Sequence, residues 1–160
     1  MKKCCMILLC ALLLCGCGAE ETFETVSDEY AQSVMKEERS IQLTVEDGAT
    51  VLKGTTGTMY LCDGYEVTEE VMSSGNLGGT LKTLTGYETD DLTVIETASS
   101  DMKRYECAWA AAGEGGDVVG RAVVMDDGVY HYCVTVLAAA EDAPSLLPVW
   151  NAILNSITLV

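Results

Sequence analysis

The sequence predicts an α+β fold: an antiparallel β-sheet with a short helix after the first strands and a C-terminal amphipathic helix packed on one face. From residue 41 onward, short runs of β-branched and aromatic residues are separated by glycine and aspartate. One stretch with helical spacing follows the first strands, and a second closes the chain. Because helices and strands are segregated rather than alternating, the sheet is predicted to be antiparallel.

The first elements follow from local patterns. Residues 41–45 alternate apolar and polar side chains, which predicts a strand. Residues 58–62 and 65–72 flank the dipeptide Asp63-Gly64, a turn that closes hairpins. Residues 77–84 then carry leucines at helical spacing, and Gly86 predicts the end of that helix.

Four successive strands are predicted next, at residues 92–97, 103–111, 118–125 and 129–137, with glycine- or aspartate-containing turns between them. Pro144 predicts the start of the last helix, because proline is tolerated in a first helical turn. One face of that helix is apolar. Its members are Leu146, Leu147, Trp150, Ile153 and Leu154.

The hairpin turns predict which side chains share a face of the sheet. The turn at residues 127–128 places Val124 opposite His131, and centring the previous hairpin on Gly115 places Trp109 opposite Arg121. The first resulting face has mostly small side chains: Ala108, Ala110, Gly120, Ala122, Val124, His131, Cys133, Thr135 and Leu137. The second has mostly large ones: Tyr105, Cys107, Trp109, Arg121, Val123, Met125, Tyr130, Tyr132 and Val134.

We expect the C-terminal helix to dock on the small-residue face, where its backbone can approach the sheet closely. The large-residue face is then the candidate ligand-binding surface, formed by Tyr105, Trp109, Arg121 and Tyr132, with the arginine as the cation for an anionic or peptide ligand. The alternative is that the rest of the chain covers this face as a second core layer. In this register Cys107 and Cys133 point to opposite faces and do not bridge, but a slip of one residue in either hairpin would reverse that.

The N-terminus has the pattern of a secretion signal. Lys2 and Lys3 precede an apolar run at residues 4–14, and a small residue, Gly16, stands before Cys17. The segment resembles the lipobox of bacterial lipoproteins, which makes Cys17 the predicted lipid anchor. The apolar run is too short for a membrane-spanning helix, and Cys15 is the less favoured anchor because the bulky Leu14 precedes it.

This interpretation divides the chain into a signal peptide at residues 1–16, a lipidated tether at 17–40 and a single domain at 41–160. It predicts an extracytoplasmic protein held at the cell membrane through lipidated Cys17. The whole chain has 25 acidic and 9 basic residues, a net charge of −16. Such a charge repels nucleic acid and anionic lipid headgroups, so a macromolecular partner is expected to be neutral, basic or bridged by cations.

The residues that carry common chemistries are sparse. His131 is the only histidine, which excludes a zinc site with several imidazoles and predicts a core histidine rather than a catalytic base. The acidic pairs do not match a calcium loop, and the glycines at 113–116 lack the lysine of a phosphate loop. No catalytic residue, metal or cofactor is therefore expected; the remaining catalytic alternative combines His131 with Cys133 or Glu106.

Several segments also resemble a known family. The chain is similar to proteins with the fold of PsbP, Mog1 and the lipoprotein DcrB, and to small lipoproteins of gut Firmicutes. The segments that carry the resemblance are residues 60–65 (YLCDGY), 104–109 (RYECAW), 127–133 (DGVYHYC) and 150–156 (WNAILNS). The resemblance implies that fold over residues 41–160 and no shared catalytic motif. The expected role is non-catalytic binding or assembly with an envelope protein; the alternative is capture of a small ligand or solute around Trp109 and Arg121.

Overall fold

The computed structural model describes residues 36–99, 101–113 and 115–160. The strands in this part of the chain are β1 (Ile41–Gln42), β2 (Thr50–Lys53), β3 (Gly57–Leu61), β4 (Tyr65–Ser73), β5 (Ile95–Ala98), β6 (Lys103–Gly113), β7 (Gly116–Asp126), β8 (Tyr130–Ala139) and β9 (Thr158–Leu159). The helices are α1 (Leu77–Thr85) and α2 (Ala143–Ser156), and Thr89–Asp91 form one 3₁₀ turn.

Seven strands form one antiparallel sheet in the order β2-β3-β4-β8-β7-β6-β5. Strand β4 pairs with β8 along its whole length, which joins the N-terminal hairpin to the later strands. Strands β1 and β9 form a separate two-stranded pair. The predicted α+β class with an antiparallel sheet is confirmed, and β2 is an additional strand.

Both ends of α1 are capped, and the end predicted at Gly86 is confirmed. The Asn76 side chain accepts a hydrogen bond from the Gly78 N–H at 2.9 Å, which satisfies one free amide of the first turn. Gly86 has φ of +81°, a left-handed conformation that favours glycine, and its N–H donates to the Lys82 carbonyl. Asparagine and glycine thus fix the start and end of this helix.

The predicted register between β6 and β7 was wrong by one residue. Trp109 lies opposite Gly120, and Ala108 lies opposite Arg121. The difference arises at the hairpin tip, where Gly113 pairs with Gly116 around a two-residue turn rather than a turn centred on Gly115. Because side chains alternate along a strand, this slip moves the side chains of β6 to the other face of the sheet.

The register between β7 and β8 differs from the prediction by two residues, since Val124 lies opposite Cys133. An even shift leaves each side chain on its predicted face. The longer turn is held by Asp127, whose carboxylate accepts hydrogen bonds from the Val129 and Tyr130 N–H groups at 3.0 and 2.9 Å.

The two helices cover opposite faces. On the first, here the helix-1 face, Leu81 of α1 packs in a cluster with Tyr105, Cys107, Ala122, Val124 and Cys133. On the second, the helix-2 face, residues of α2 pack in a cluster with residues of β4, β7 and β8. The main members of that cluster are Val67, Val123, Met125, Tyr132, Val134, Val136, Trp150, Ile153 and Leu154.

The predicted docking of the C-terminal helix on the small-residue face was therefore wrong. Trp150, Ile153 and Leu154 are buried against the large side chains of the helix-2 face, while Leu147 stays 44% exposed. The small residues Ala122 and Cys133 instead contribute to the cluster that buries Leu81 of α1. Helix α1 thus packs on the small-residue face, where the sequence predicted α2.

The chain just before β1 is bonded to the domain. The Lys36 ammonium donates to the Asp127 carbonyl at 2.8 Å, and the Arg39 N–H donates to the Tyr132 hydroxyl at 3.1 Å. Residues 1–35, which include the predicted signal peptide and Cys17, lie outside the described residues. In the part of the chain that is described, no helix is long and apolar enough to cross a membrane.

Candidate functional site

The four residues predicted to bind a ligand do not meet. Tyr105 and Trp109 lie on the helix-1 face, whereas Arg121 and Tyr132 lie on the helix-2 face. The one-residue slip of β6 separates them. A single aromatic surface around Trp109 and Arg121 is therefore absent from the fold, and with it the geometric basis for ligand capture there.

Trp109 packs over a glycine. A Cβ atom added to Gly120 would lie 2.4 Å from Cζ2 of the indole ring and 2.7 Å from two of its neighbours. Only a residue without a side chain leaves room for the ring at this position. Trp109 thus covers the strand and is half-buried, and Tyr105 is buried in the same cluster.

Arg121 and Tyr132 connect elements on the other face. An Nη atom of Arg121 donates to Asn151 Oδ1 on α2 at 2.5 Å, and the second Nη lies 3.8 Å from a carboxylate oxygen of Glu106. The Tyr132 hydroxyl donates to Asp127 at 3.2 Å and accepts from Arg39. Both side chains therefore fasten the helix or the N-terminal segment to the sheet, which agrees with the alternative of a second core layer.

The prediction that His131 is a core histidine is confirmed. Its side chain is 1% exposed, Nδ1 lies 2.7 Å from the Thr80 hydroxyl, and Nε2 lies 3.6 Å from an Asp126 carboxylate oxygen. Glu106 is on the opposite face of the sheet, and the Cys133 thiol donates to the carbonyl of His131. The groups named in the catalytic alternative do not converge on an open site.

The two buried cysteines share a face, contrary to the prediction. Cys107 and Cys133 both belong to the helix-1 cluster, and both are free thiols. Burial raises the pKa of Cys133 to about 12 and also raises the pKa of Cys107. Since the thiolate is the reactive form, neither side chain is arranged as a nucleophile. Among the residues described, no group of three or more potential metal-ligating side chains is found.

Part of the helix-1 face is left open by α1. We define the open face as the part of the helix-1 face that is formed by β2, β3, β4 and the C-terminal half of β8. Its apolar members belong to neither core cluster, and Leu52 and Leu61 are 49% and 40% exposed. The open face consists of Leu52, Met59, Leu61, Glu66, Thr68, Glu70, Thr135 and Leu137.

Glu70 is the polar centre of the open face. It lies opposite Cys133 on β8 and opposite Gly57 on β3. Burial raises the pKa of the Glu70 carboxyl, and no hydrogen bond or ion pair within the described residues reaches it. The carboxyl lines a cleft of about 380 Å³ with Leu52, Met59 and Thr68, so an apolar wall stands beside a half-buried anion.

The cations of the domain are mostly engaged elsewhere. Lys36 lies beside Asp127, Lys82 beside Glu88, Lys103 beside Glu96, and Arg104 and Arg121 beside Glu106. Lys53 lines the same cleft as Glu70, but no ion pair in the described part of the chain involves Glu66 or Glu70. The open face therefore presents leucines together with carboxylates that form no ion pair with the described residues.

Sequence reasoning did not find this surface because it did not find β2. The signal was present: residues 50–53 are followed by Gly54 and Gly57, which close a tight turn between β2 and β3. The Gly54 N–H donates to the Gly57 carbonyl at 2.8 Å. A Cβ on Gly57 would lie 2.2 Å from the Glu69 carbonyl oxygen, so glycine permits the close approach of β3 to β4.

Comparisons with known proteins give little guidance. Neither a model of a known protein family nor a curated protein sequence matches the chain. Among solved structures, the chain is similar to LpqN, involved in cell envelope biogenesis of Mycobacterium tuberculosis, with 14% identity, a TM-score of 0.49 and coverage of 77% of this chain and 84% of LpqN. It is also similar to PA94 from Pseudomonas aeruginosa, a protein of unknown function, with 12% identity, a TM-score of 0.44 and coverage of 73% and 81%. Both TM-scores lie below 0.5, so neither likeness carries an argument, and the resemblance to the PsbP fold stays a prediction.

Proposed function

We propose that the chain is a lipid-anchored, extracytoplasmic binding protein that docks a basic amphipathic segment of an envelope protein on its open face. The observation that carries this proposal is the combination of exposed leucines with the half-buried, unpaired carboxyl of Glu70. The predicted lipid on Cys17 would hold the domain near the membrane, where envelope proteins are its neighbours.

The apolar part of the surface favours burial by a partner. Leu52 and Leu61 retain nearly half of their surface in water, and Met59 and Leu137 lie on the same open face. Completing the burial of one such leucine contributes on the order of 1 kcal/mol, about half of the gain for a fully exposed side chain. Contiguous apolar surface bordered by polar groups is typical of interaction sites.

The charges favour a basic partner over a neutral one. The Glu70 carboxyl has lost part of its hydration without gaining a donor from the described residues, so a lysine or arginine from a partner would supply a hydrogen bond. The net charge of −16 adds long-range attraction for a cationic segment and repulsion for a second copy of this chain. We therefore expect the association to weaken as salt concentration rises.

The proposal does not include catalysis. The single histidine is buried and bonded to Thr80, and the two core thiols have raised pKa values. The two thiols belong to the helix-1 cluster, and His131 lies on the same face of the sheet. The open face offers one carboxylate among apolar side chains, which suits recognition better than a proton-transfer or nucleophilic site.

Anchoring is tested separately from binding. The full chain and a Cys17→Ala variant would be produced in a bacterial host fed a clickable palmitate analogue, followed by membrane fractionation. We expect the parent chain to be labelled and to appear in the membrane fraction. The Cys17→Ala protein should be unlabelled, and either soluble or unprocessed. Equal labelling of both chains would overturn the assignment of Cys17, and Cys15→Ala serves as the matched control.

Binding is tested with a defined probe, an 18-residue amphipathic peptide of leucine and lysine, against the same peptide with glutamate in place of lysine. Calorimetry should detect the basic peptide only, with affinity reduced about tenfold in a Leu52→Ser/Leu61→Ser variant. Leu147→Ser is the control, because Leu147 is equally exposed but lies on α2. Equal binding by both double-serine and control variants would rule out the open face.

The role of the carboxyl is tested by Glu70→Gln, with Glu141→Gln as a control at an exposed carboxylate outside the open face. The expected loss is about three- to tenfold in affinity for the basic peptide, with a smaller dependence on salt. Equal losses in both variants would mean that only the overall charge attracts the peptide.

A further inference from the structure

The strand β6 is longer than the strand beside it. Strand β5 pairs with β6 only from Ile95 opposite Glu106 to Ala98 opposite Lys103. Beyond that point β6 continues to Gly113, and within the described residues no strand lies on that side. Residues 107–113 therefore form a free edge, although their other side is fully paired with β7.

The backbone groups that face this edge can be identified. The Ser99 N–H donates to the Met102 carbonyl at 2.9 Å, so the residues of β6 that bond to β5 are the even-numbered ones. Continued along the strand, the same alternation directs the N–H and carbonyl of Ala108, Ala110 and Ala112 outward. The Tyr87 hydroxyl donates to the outward carbonyl of Ala110 at 2.5 Å, which agrees with this direction.

The side chains leave that edge accessible. All three alanines are exposed, and the free edge holds no charged residue and no proline. Sheet edges in proteins are normally blocked by charges, prolines or covering segments. Within the described residues, the Tyr87 hydroxyl bonds to one outward carbonyl, and Thr93 lies near Ala108 at the end of the edge next to β5.

A pocket lies at the end of the free edge that is next to the start of β5. Thr93, Ile95 and Ala108 line a cleft of about 220 Å³ together with Glu106 and Arg121. Ile95 is 63% exposed, the largest exposure among the large apolar side chains in the described part of the chain. A strand added beside β6 would place one of its side chains against this wall.

We propose that β6 accepts an extended segment of a partner protein as an additional strand, bonded to the outward backbone groups of Ala108, Ala110 and Ala112. The segment is uncharged or basic, because Asp117 and Glu141 stand beside Gly113 at the far end of the edge and the whole chain carries a net charge of −16. The same charge disfavours a second copy of this chain as the occupant. Recognition through backbone hydrogen bonds with a side-chain pocket is the mode called β-augmentation, and it is independent of the open face.

The experiment uses an eight-residue peptide of alternating threonine and valine with a lysine added at each end. NMR of the ¹⁵N-labelled domain would follow peptide titration and amide hydrogen exchange. We expect the amides of Ala108, Ala110 and Ala112 to exchange fast in the free protein and to become protected when peptide is added. Protection elsewhere, or none at millimolar peptide, would overturn the proposal.

Two sets of variants separate backbone recognition from general attraction. Ala108→Pro and Ala110→Pro each remove an outward N–H that bonds to no group in the described part of the chain. Sheet edges tolerate such a substitution, and each variant should bind about fivefold more weakly or worse. Ala108→Ser and Ala110→Ser keep the N–H and should bind as the parent does. Tyr87→Phe frees the Ala110 carbonyl and should strengthen binding about two- to fivefold.

A modified peptide makes the test independent of whether the proline variants fold. Methylation of the peptide nitrogens on alternate residues removes donors from one edge of the added strand only. Two peptides are compared, one methylated on the odd-numbered residues and one on the even-numbered residues. We expect one of these peptides to lose binding to the parent domain and the other peptide to retain it. Equal binding by both methylated peptides would contradict strand addition.

Discussion

The contact between Trp109 and Gly120 allows a sharp test of the register between β6 and β7. A Cβ at position 120 would lie 2.4 to 2.7 Å from three indole atoms, whereas carbon atoms in contact are normally about 3.5 to 4.0 Å apart. In Gly120→Ala the ring must therefore move by about 1 Å. Overpacking of this kind costs about 1 to 3 kcal/mol of unfolding free energy.

The cost should depend on the tryptophan. In a Trp109→Ala background the added methyl group has room, and Gly120→Ala should then cost less than about 0.5 kcal/mol, because alanine also lowers the entropy of the unfolded chain. The predicted coupling energy between the two sites is therefore at least about 0.5 kcal/mol. Urea unfolding of the domain, Trp109→Ala, Gly120→Ala and the double variant, followed by circular dichroism, measures it.

A matched control is Gly79→Ala in α1, where an added Cβ meets nothing within 4 Å. That change should stabilise the helix by about 0.5 to 1 kcal/mol regardless of Trp109. If Gly120→Ala costs the same unfolding free energy with and without Trp109, the register is refuted. Energetic coupling of Trp109 to Arg121, and not to Gly120, would also refute it.

Three further outcomes follow from the buried groups. Trp150 is fully buried, so Trp150→Ala should cost about 3 to 5 kcal/mol in urea unfolding, and a cost below about 1 kcal/mol would mean that α2 does not pack as described. Burial opposes ionisation of Asp127, but hydrogen bonds from two turn amides and a nearby lysine hold its pKa below the usual range; its ionised form therefore stabilises the fold above about pH 4, and that stability is lost as pH falls through the lowered pKa. Asp127→Asn should reduce the fall in melting temperature between pH 5 and pH 2, and an unchanged acid dependence would contradict the assignment. Because burial raises the pKa values of Cys107 and Cys133, a thiol reagent at pH 8 should modify only the half-buried Cys62 in the native domain, slowly, and all three after unfolding; rapid native modification of a second thiol would count against the packing of the helix-1 face.

Elements with strong local signals were predictable. Gly86 ends α1, and the Asp63-Gly64 turn joins β3 and β4, as the sequence indicated. The order of strands and helices along the chain predicted the antiparallel sheet. These features depend on residues close together in the chain, where turn chemistry and capping act directly.

The register of the β6–β7 hairpin was not predictable from its glycine-rich tip. Glycines at 113, 115 and 116 permit both a turn centred on Gly115 and a two-residue turn between Gly113 and Gly116. The choice between these turns decides the face of the sheet on which Tyr105 and Trp109 lie. The glycine opposite Trp109 was the available clue, since a large ring over a strand needs a small neighbour. The error in register produced the error in the ligand-binding surface. The error in the docking of α2 is separate, because α2 packs on residues of β7 and β8 that lie on their predicted face.

The open face was missed for a different reason. Strand β2 is exposed on both sides and therefore lacks the apolar alternation that identifies half-buried strands. The pairing of β4 with β8 joins residues 57 to 73 positions apart, and no local pattern encodes that contact. Glu70 becomes a half-buried carboxyl only through this long-range pairing.

The most direct test of the proposed function places a photo-reactive phenylalanine analogue at Leu61 of the full-length chain, expressed in its native cells, with the same analogue at Leu147 as the control. We predict crosslinks from position 61 to an envelope protein through a segment rich in lysine or arginine and apolar residues, and no such product from position 147. The Glu70→Gln change should reduce the yield from position 61. Crosslinks from position 147 alone, or from both positions to acidic or unrelated segments, would contradict a binding function at the open face.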